Sequence, residues 1–312
     1  MILGFDIGGT KCAVVTAEIN QGEIEIIKKE KIETDLKIKP CEMIDRLIAL
    51  ADKILGNKKP EKIGISCGGP LDSKKGVILG PPNLVGWDYV PIVDQIKEHY
   101  GVSVNLQNDA NACAVAEWKF GAGKGYKNIV FLTFGTGLGA GLILDGKLYS
   151  GTNDNAGEVG HIRLEDDGPK GYGKQGSFEG FCSGGGIAKL GKIFAEKAME
   201  NGITPAFAKD EINAKTIADA AELGDETAIA VYKTCGEKLG KGLSVIIDIL
   251  NPERIVIGSI FTRSRDLLWE YAKEVIDRES LSISASVCEV VPATLGEQIG
   301  DYAAIGVALL GD

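Results

Sequence analysis

Two short glycine-rich turns carry the residue types in this chain best suited to chemistry. The first is Ile2-Leu3-Gly4-Phe5-Asp6-Ile7-Gly8-Gly9-Thr10 and the second is Val130-Phe131-Leu132-Thr133-Phe134-Gly135-Thr136-Gly137. Each is an apolar strand running into a turn whose glycines lack Cβ. Backbone N–H groups can therefore approach phosphate oxygens, with hydroxyl donors from Thr10, Thr133 and Thr136. Asp6, beside the first turn, can bind magnesium directly or through water. Either turn alone is more often an ordinary β-hairpin; the repetition, with matching Thr or Asp positions, points instead to a nucleotide held between two lobes. Neither turn continues into Gly-Lys-Ser/Thr, which excludes a P-loop, and neither opens directly into a helix, which excludes a dinucleotide fingerprint.

The elements that must position these turns read as an α/β protein. Strands are expected over 2–6 and 12–17, with an alternating third antiparallel strand over 23–27. Met43, Ile44, Leu47, Ile48, Ala51, Ile54 and Leu55 recur at helical spacing up to the stop at Gly56, and the apolar strand 62–66 follows, which favours a parallel crossover. The pattern repeats as helix 91–100, a stop at Gly101, strand 102–106, the turn Gln107-Asn108-Asp109 and a helix from 110 to about 120. Asp109 thus lies at the carboxyl end of a strand, the edge of an open α/β sheet where ligands collect. After the second turn come a returning strand over 141–144, helices over 186–201, 214–223 and 227–250, strand 254–258, helix 264–278, strand 287–291 and a last helix over 302–310. The lobes divide as 1–115 plus about 299–312, and 116–298.

Composition narrows the classes. The 312 residues, 44% of them hydrophobic, can bury a large core, and 42 glycines against 10 prolines read as turns and close backbone approaches. A net charge of -10 leaves no basic footprint for a nucleic acid. No apolar run approaches the ~20 residues of a membrane span, and Met1 leads straight into a strand with no signal-peptide pattern, so a cytoplasmic location is expected. Cys12, Cys41, Cys67, Cys113, Cys182, Cys235 and Cys288 form no Cys-x-x-Cys pair and read as reduced, mostly buried small residues.

The duplicated turns without P-loop or dinucleotide signatures fit the actin–hexokinase (ribonuclease H-like) architecture, a duplicated fold of two lobes with a central cleft that clamps ATP. The chain closely resembles the ROK family of bacterial sugar kinases and sugar-responsive regulators. The resemblance rests on Asp6-Ile-Gly-Gly-Thr-Lys11, Pro82-Asn83-Leu-Val-Gly-Trp87, Asn108-Asp-Ala-Asn111, Gly135-Thr-Gly-Leu-Gly-Ala-Gly141 and Ala156-Gly-Glu-Val-Gly-His161, in family order over almost the full chain.

The resemblance implies that Asp109 is the catalytic base, accepting the proton of a sugar hydroxyl that attacks the γ-phosphorus of ATP, with Mg²⁺ neutralising phosphate charge. The competing use of Asn108 or Asp109 is as the N-cap of the following helix, and both uses can coexist. Asn83, Asn108, Asp109, Glu158, His161 and Glu179 are implied as sugar-binding groups, since amides, carboxylates and an imidazole pair with hydroxyls that both donate and accept. Gly69, in Cys67-Gly-Gly-Pro70, is implied to lend a backbone N–H. On the nucleotide side the resemblance implies Asp6, Gly8, Gly9, Thr10 and Lys11, then Thr133, Gly135, Thr136 and Gly137, then Gly184 and Gly185 of Ser183-Gly-Gly-Gly186, and Gly258. Ser259 departs from a second glycine usual in relatives.

A sharper departure lies at 170–179. Members of the family place three cysteines there as zinc ligands with the histidine matching His161; here Lys170, Tyr172 and Ser177 stand in their positions. Structural zinc needs about four N/S ligands, so no zinc site is expected, and loop shape is expected to come from packing or Tyr172 hydrogen bonds. The second histidine, His99, near a helix C-terminus, carries no expected function.

These features imply an ATP-dependent, Mg²⁺-requiring kinase acting on a hexose, with glucose O6 as the default. Alternatives are fructose, allose, mannose or an N-acetylhexosamine as substrate, polyphosphate as donor, or a non-catalytic sugar-sensing regulator. Regulators in the family carry an added N-terminal helix-turn-helix, whereas this chain is expected to open directly on the first strand of the kinase fold. The expected partners are sugar and ATP, with no nucleic acid or membrane, and the resemblance implies a homodimer.

Overall fold

The computed structural model describes residues 1–20 and 23–311. In chain order its elements begin β1 (Ile2–Ile7), β2 (Lys11–Asn20), β3 (Glu23–Glu33), α1 (Pro40–Leu55), β4 (Lys62–Cys67), β5 (Leu71–Asp72), β6 (Val77–Ile78), α2 (Ile92–Tyr100), β7 (Ser103–Asn108) and α3 (Asp109–Phe120). They continue with β8 (Ile129–Phe134), β9 (Leu138–Leu144), β10 (Lys147–Leu148), β11 (Lys170–Gly171), β12 (Lys174–Gln175), α4 (Phe178–Phe181), α5 (Gly184–Glu200) and α6 (Ala214–Glu222). The last are α7 (Glu226–Leu250), β13 (Arg254–Ile257), α8 (Ile260–Glu279), α9 (Ser282–Ala285), β14 (Glu289–Pro292) and α10 (Ile299–Ala308).

Two five-stranded sheets run in the orders β3-β2-β1-β4-β7 and β10-β9-β8-β13-β14. Each sheet is built alike: a first strand, its returning neighbour, a third strand beyond that neighbour (β3 or β10), then two strands added on the other side after helices. In the first, β2 is antiparallel to β1 while β4 and β7 are parallel; in the second, β13 is parallel to both β8 and β14. This duplicated α/β arrangement is the actin–hexokinase fold.

The chain forms two compact units: Met1–Gly125 with Gly141–Ala156 and Thr294–Asp312, and Tyr126–Ala140 with Gly157–Ala293. Helix α3, which the sequence reading splits at residue 116, lies whole in the first unit, because Ala112 and Ala116 pack on Ala303 and Val307 of α10. Asp312, the end of the expected first lobe, lies outside the described residues.

Alternation along β1 decides how the first unit is layered. Leu3, Phe5 and Ile7 join α1 residues Met43, Ile44 and Leu47 in one core, while Ile2 packs with Ile305, Ala308 and Leu309 on the opposite face. Asp6 shares that second face, since side chains two apart point the same way. Helix α10 comes close only because β1 and β4 carry glycine there: a Cβ on Gly4 would lie 2.8 Å from Ala304 Cβ, and one on Gly64 would lie 2.0 Å from the Ala304 carbonyl oxygen.

In the second unit α7 uses the same device. Cβ atoms on Gly236 and Gly240 would lie 2.6 and 2.5 Å from carbonyls of α8, so the two long helices pack backbone to backbone. Helix α8 begins at Ile260, earlier than the expected 264, with a non-helical Ser264 (φ -120°) where its two segments join. Strand β7 also runs further than expected, because parallel pairing to β4 continues through Gln107 and Asn108. No turn intervenes; strand passes directly into helix.

Candidate functional site

The direct passage from β7 into α3 separates two side chains that the sequence left competing for one task. Asn108 is the cap: its Oδ1 accepts from Asn111 N at 2.7 Å. Asp109 Oδ1 accepts from Ala110 N at 2.9 Å, and the carboxylate, spared the capping role, is available for other chemistry. Its own surface is exposed, yet protein atoms crowd it on the remaining sides. That partial desolvation raises its carboxyl above the ordinary aspartate range, an effect limited by the open face.

Asp6 lies half-buried beside the α10 N-terminus, where a Cβ on Gly300 would come 3.0 Å from its Oδ2. Burial first, then the negative charges of Asp301 and Asp109, push its carboxyl up to about 6, against the smaller opposing pull of Lys29 and Lys31. Asp301, 5% exposed, is paired with Lys29 Nζ at 2.5 Å. The sequence reading missed Asp301; its signal was an acid at the first turn of the last helix, and its partner lies 272 residues away.

The first turn is closed by Gly8 N donating to Lys11 O at 3.2 Å, and it is braced by the Thr34 hydroxyl donating to Gly8 O at 2.6 Å. Gly9 sits so close to the 81–87 loop that a Cβ there would lie 2.2 Å from Asn83 O. Buried Leu84 and Trp87 anchor that loop, leaving Asn83, Thr10 and Lys11 exposed. A Cβ on Gly68 would lie 3.5 Å from Asn83 Oδ1, so the Asn83 amide borders the Gly68-Gly69 segment, which precedes a cis Gly69-Pro70 bond. The first unit thus gathers Asn83 with Gly9 and the Gly68-Gly69 segment, and Asp6 with Asp109 and Asp301.

In the second unit Gly135 is the centre. Its N–H donates to Gly137 O (3.1 Å), its carbonyl accepts from Gly184 N (2.7 Å), and a Cβ on it would lie 3.6 Å from Ser259 Oγ. Ser183 caps α5 by accepting from Gly186 N at 2.9 Å. Gly135, Thr136, Gly137, Gly184, Gly185 and Gly258 therefore form a lining nearly free of side chains at the start of a 17-residue helix, an arrangement suited to phosphate. The Thr133 hydroxyl does not face this turn: it accepts from Gly139 N at 3.0 Å and contacts Gly139 O at 3.3 Å, stapling the hairpin behind it.

Glu179 joins this region to the other polar residues of the second unit. Its Oε2 accepts from Leu138 N at 3.1 Å. Gly160 is wedged between Leu138 O and Glu179 Cβ, so the 3-10 turn Val159–His161 brings its exposed His161, and the exposed Glu158 that precedes it, beside Glu179. The 162–177 loop between them is held by side chains other than the expected Tyr172, which stands 77% exposed at the β11–β12 turn. Ser177 caps α4, accepting from Gly180 N at 3.1 Å, and contacts Gly171 O. Lys174 Nζ donates to His161 O at 2.7 Å, and Glu165 pairs with Lys238 and Lys241, both at 2.6 Å, which lowers its carboxyl to about 2.

The chain is similar to known proteins over nearly its whole length. The model of the ROK family matches residues 2–311. A glucokinase of Halalkalibacterium halodurans is 32% identical over 308 residues, spanning 96% of this chain and 92% of that one. A ROK family glucokinase from Streptomyces griseus, solved in complex with glucose and AMPPNP, superposes with a TM-score of 0.75 at 30% identity, covering 98% of this chain and 97% of that one. A ROK family transcriptional regulator, a homologue of the E. coli Mlc protein, superposes with a TM-score of 0.83 at 25% identity, covering 99% of this chain and 79% of that one. The chain belongs to the ROK family.

Proposed function

We propose that this protein is a sugar kinase transferring the γ-phosphate of ATP to a hexose hydroxyl, with O6 of glucose or a close relative as the acceptor. The observation that carries the proposal is the division of labour at β7–α3: Asn108 takes the helix cap, and Asp109 keeps an open carboxylate at the strand's end. In the reaction the hexose hydroxyl attacks the γ-phosphorus, its proton passes to Asp109, and ADP leaves. A carboxyl raised above the usual range is a better proton acceptor than an ordinary aspartate.

In the first unit Gly69, Asn83 and Asn108 are the proposed hexose-binding groups alongside Asp109, and Gly8, Gly9, Thr10 and Lys11 the phosphate-facing ones. In the second, Glu158, His161 and Glu179 are proposed for the hexose, and Gly135, Thr136, Gly137, Gly184, Gly185 and Gly258 for the nucleotide. Thr133 supports the hairpin. Asp6 is the group proposed for a magnesium ion, bound directly or through water: Asp301 and Asp109 add negative charge at its carboxylate against the smaller opposing pull of Lys29 and Lys31. Magnesium there would offset the charge of the phosphates. No zinc is proposed for the 162–177 loop; a metal analysis finding one tightly held zinc per chain contradicts this.

The likeness to the Mlc-type regulator, over 99% of this chain, supports a second reading, a sugar sensor. ADP release from Mg-ATP against a panel of hexoses, N-acetylhexosamines and fructose separates the two. Turnover on a sugar, lost in Asp109→Asn, supports the kinase; sugar binding by calorimetry without turnover supports the sensor.

A further inference from the structure

Asp154 is a buried acid, 8% exposed, whose backbone sits at φ +61°, a conformation that side-chain-bearing residues rarely adopt. Both its carboxylate oxygens are engaged by one residue: Oδ2 accepts from Ser73 N at 2.7 Å and Oδ1 from the Ser73 hydroxyl at 2.8 Å. Ser73 directly follows β5, whose first residue adjoins Pro70 of the Gly68-Gly69-Pro70 segment. On its other side the Asp154 carbonyl accepts from Asn108 Nδ2 at 3.4 Å, while Asn108 Oδ1 is committed to the cap. A carboxamide has one acceptor oxygen and two N–H donors. With the oxygen on Asn111 the amide cannot turn round without losing the cap, and with one N–H on Asp154 a single N–H remains for a ligand.

We propose that Asp154 is a positioning residue for the hexose contact of Asn108: its grip on Ser73 holds its own backbone in the left-handed conformation, and that conformation aims the carbonyl that orients the Asn108 amide. The inference rests on the kinase reading above and adds to it a residue outside the expected site. Nothing in the pattern of the 150–156 loop singles Asp154 out, because its partners lie 81 and 46 positions earlier.

The test compares Asp154→Gly, which relieves the backbone conformation while removing the grip, with Asp154→Asn, which keeps an acceptor for one Ser73 group. Asp154→Gly is expected to melt a few degrees below wild type, because glycine's freedom at positive φ offsets only part of the two lost hydrogen bonds. Its KM for the hexose should rise about tenfold, the size of one misplaced hydrogen bond, with kcat and the KM for ATP within about twofold. Asp154→Asn should fall between. A hexose KM within about twofold of wild type in Asp154→Gly overturns the proposal, as does a joint change of melting temperature, kcat and both KM values. If the wild type turns over no hexose, the kinase reading fails on its own. The side-chain amide resonance of Asn108, assigned by its loss in Asn108→Ala, then decides: a shift in Asp154→Gly upholds the orienting role and an unmoved resonance overturns it.

Discussion

Glu117 offers a stability test whose size can be worked from the structure. It is fully buried on α3, and its carboxylate accepts from Ala122 N at 2.7 Å, from Thr294 N and Leu295 N at 3.0 Å each, and from the Thr294 hydroxyl at 3.3 Å. It therefore ties the segment leading into α10 to the end of α3. Replacing it with methionine keeps most of the volume and deletes all four contacts. Hydrogen bonds to a charged group are worth about 1.5–3 kcal/mol each, but these donors are only partly buried and water can replace some of what is lost. The expected cost is about 3–5 kcal/mol. Glu117→Gln keeps one oxygen for Thr294 and Leu295 and turns an N–H₂ toward the Ala122 N–H, for an expected cost of about 1–3 kcal/mol. Urea unfolding followed by circular dichroism reads both values, and if the two units melt separately the loss belongs to the first. A Glu117→Met protein within about 1 kcal/mol of wild type refutes the argument that this carboxylate fastens α10.

Three further outcomes follow from the same unit. Asp6 holds its proton more tightly in the folded protein than in the unfolded chain, with a carboxyl at about 6 against 3.8 ordinarily; the stability it contributes is therefore full below about 4 and lost as pH rises through 6. Asp6→Asn should raise metal-free stability at pH 7.5 by up to about 3 kcal/mol, seen as a higher melting temperature, while abolishing turnover; an unchanged or lower melting temperature contradicts it. Because Asp109 must be ionised to accept a proton and its carboxyl is raised, kcat/KM should fall on acidification with a midpoint above the ordinary aspartate value of about 4, and a rate flat from pH 7 down to 4 argues against Asp109 as base. Gly64→Ala puts a Cβ 2.0 Å from the Ala304 carbonyl and should cost about 3 kcal/mol in a thermal melt; a neutral result means α10 can shift away at little cost.

What could be read in the sequence followed from local pattern. The alternation of Ile2 to Ile7 and the helical spacing of Met43 to Leu55 placed β1 and α1, and the repeated glycine turns revealed the duplication. The sequence also placed Asn108 and Asp109 at a strand's end but could not divide their roles, because that depends on β7 extending two residues beyond the expected strand by pairing with β4. Asp154, Glu117 and Asp301 escaped for a shared reason: each bonds a residue 81, 177 or 272 positions away, and no spacing along the chain encodes such a meeting. Gly4 and Gly64 fall inside strands, and only the packing of α10 against them shows why a side chain is excluded there. Around 170–177 the missing cysteines were legible, but the loop's actual supports, Ser177 and the Glu165 pairing with Lys238 and Lys241, were not, since an ion pair leaves no motif.

The central claim is that Asp109 is the base of a hexose kinase, and its most direct test is single-sugar turnover in wild type beside Asp109→Asn. Coupled ADP release with Mg-ATP should identify a hexose turned over by the wild type, and the variant should lose about 10²–10⁴-fold in kcat while still binding that sugar in calorimetry. Full turnover by Asp109→Asn would contradict the account.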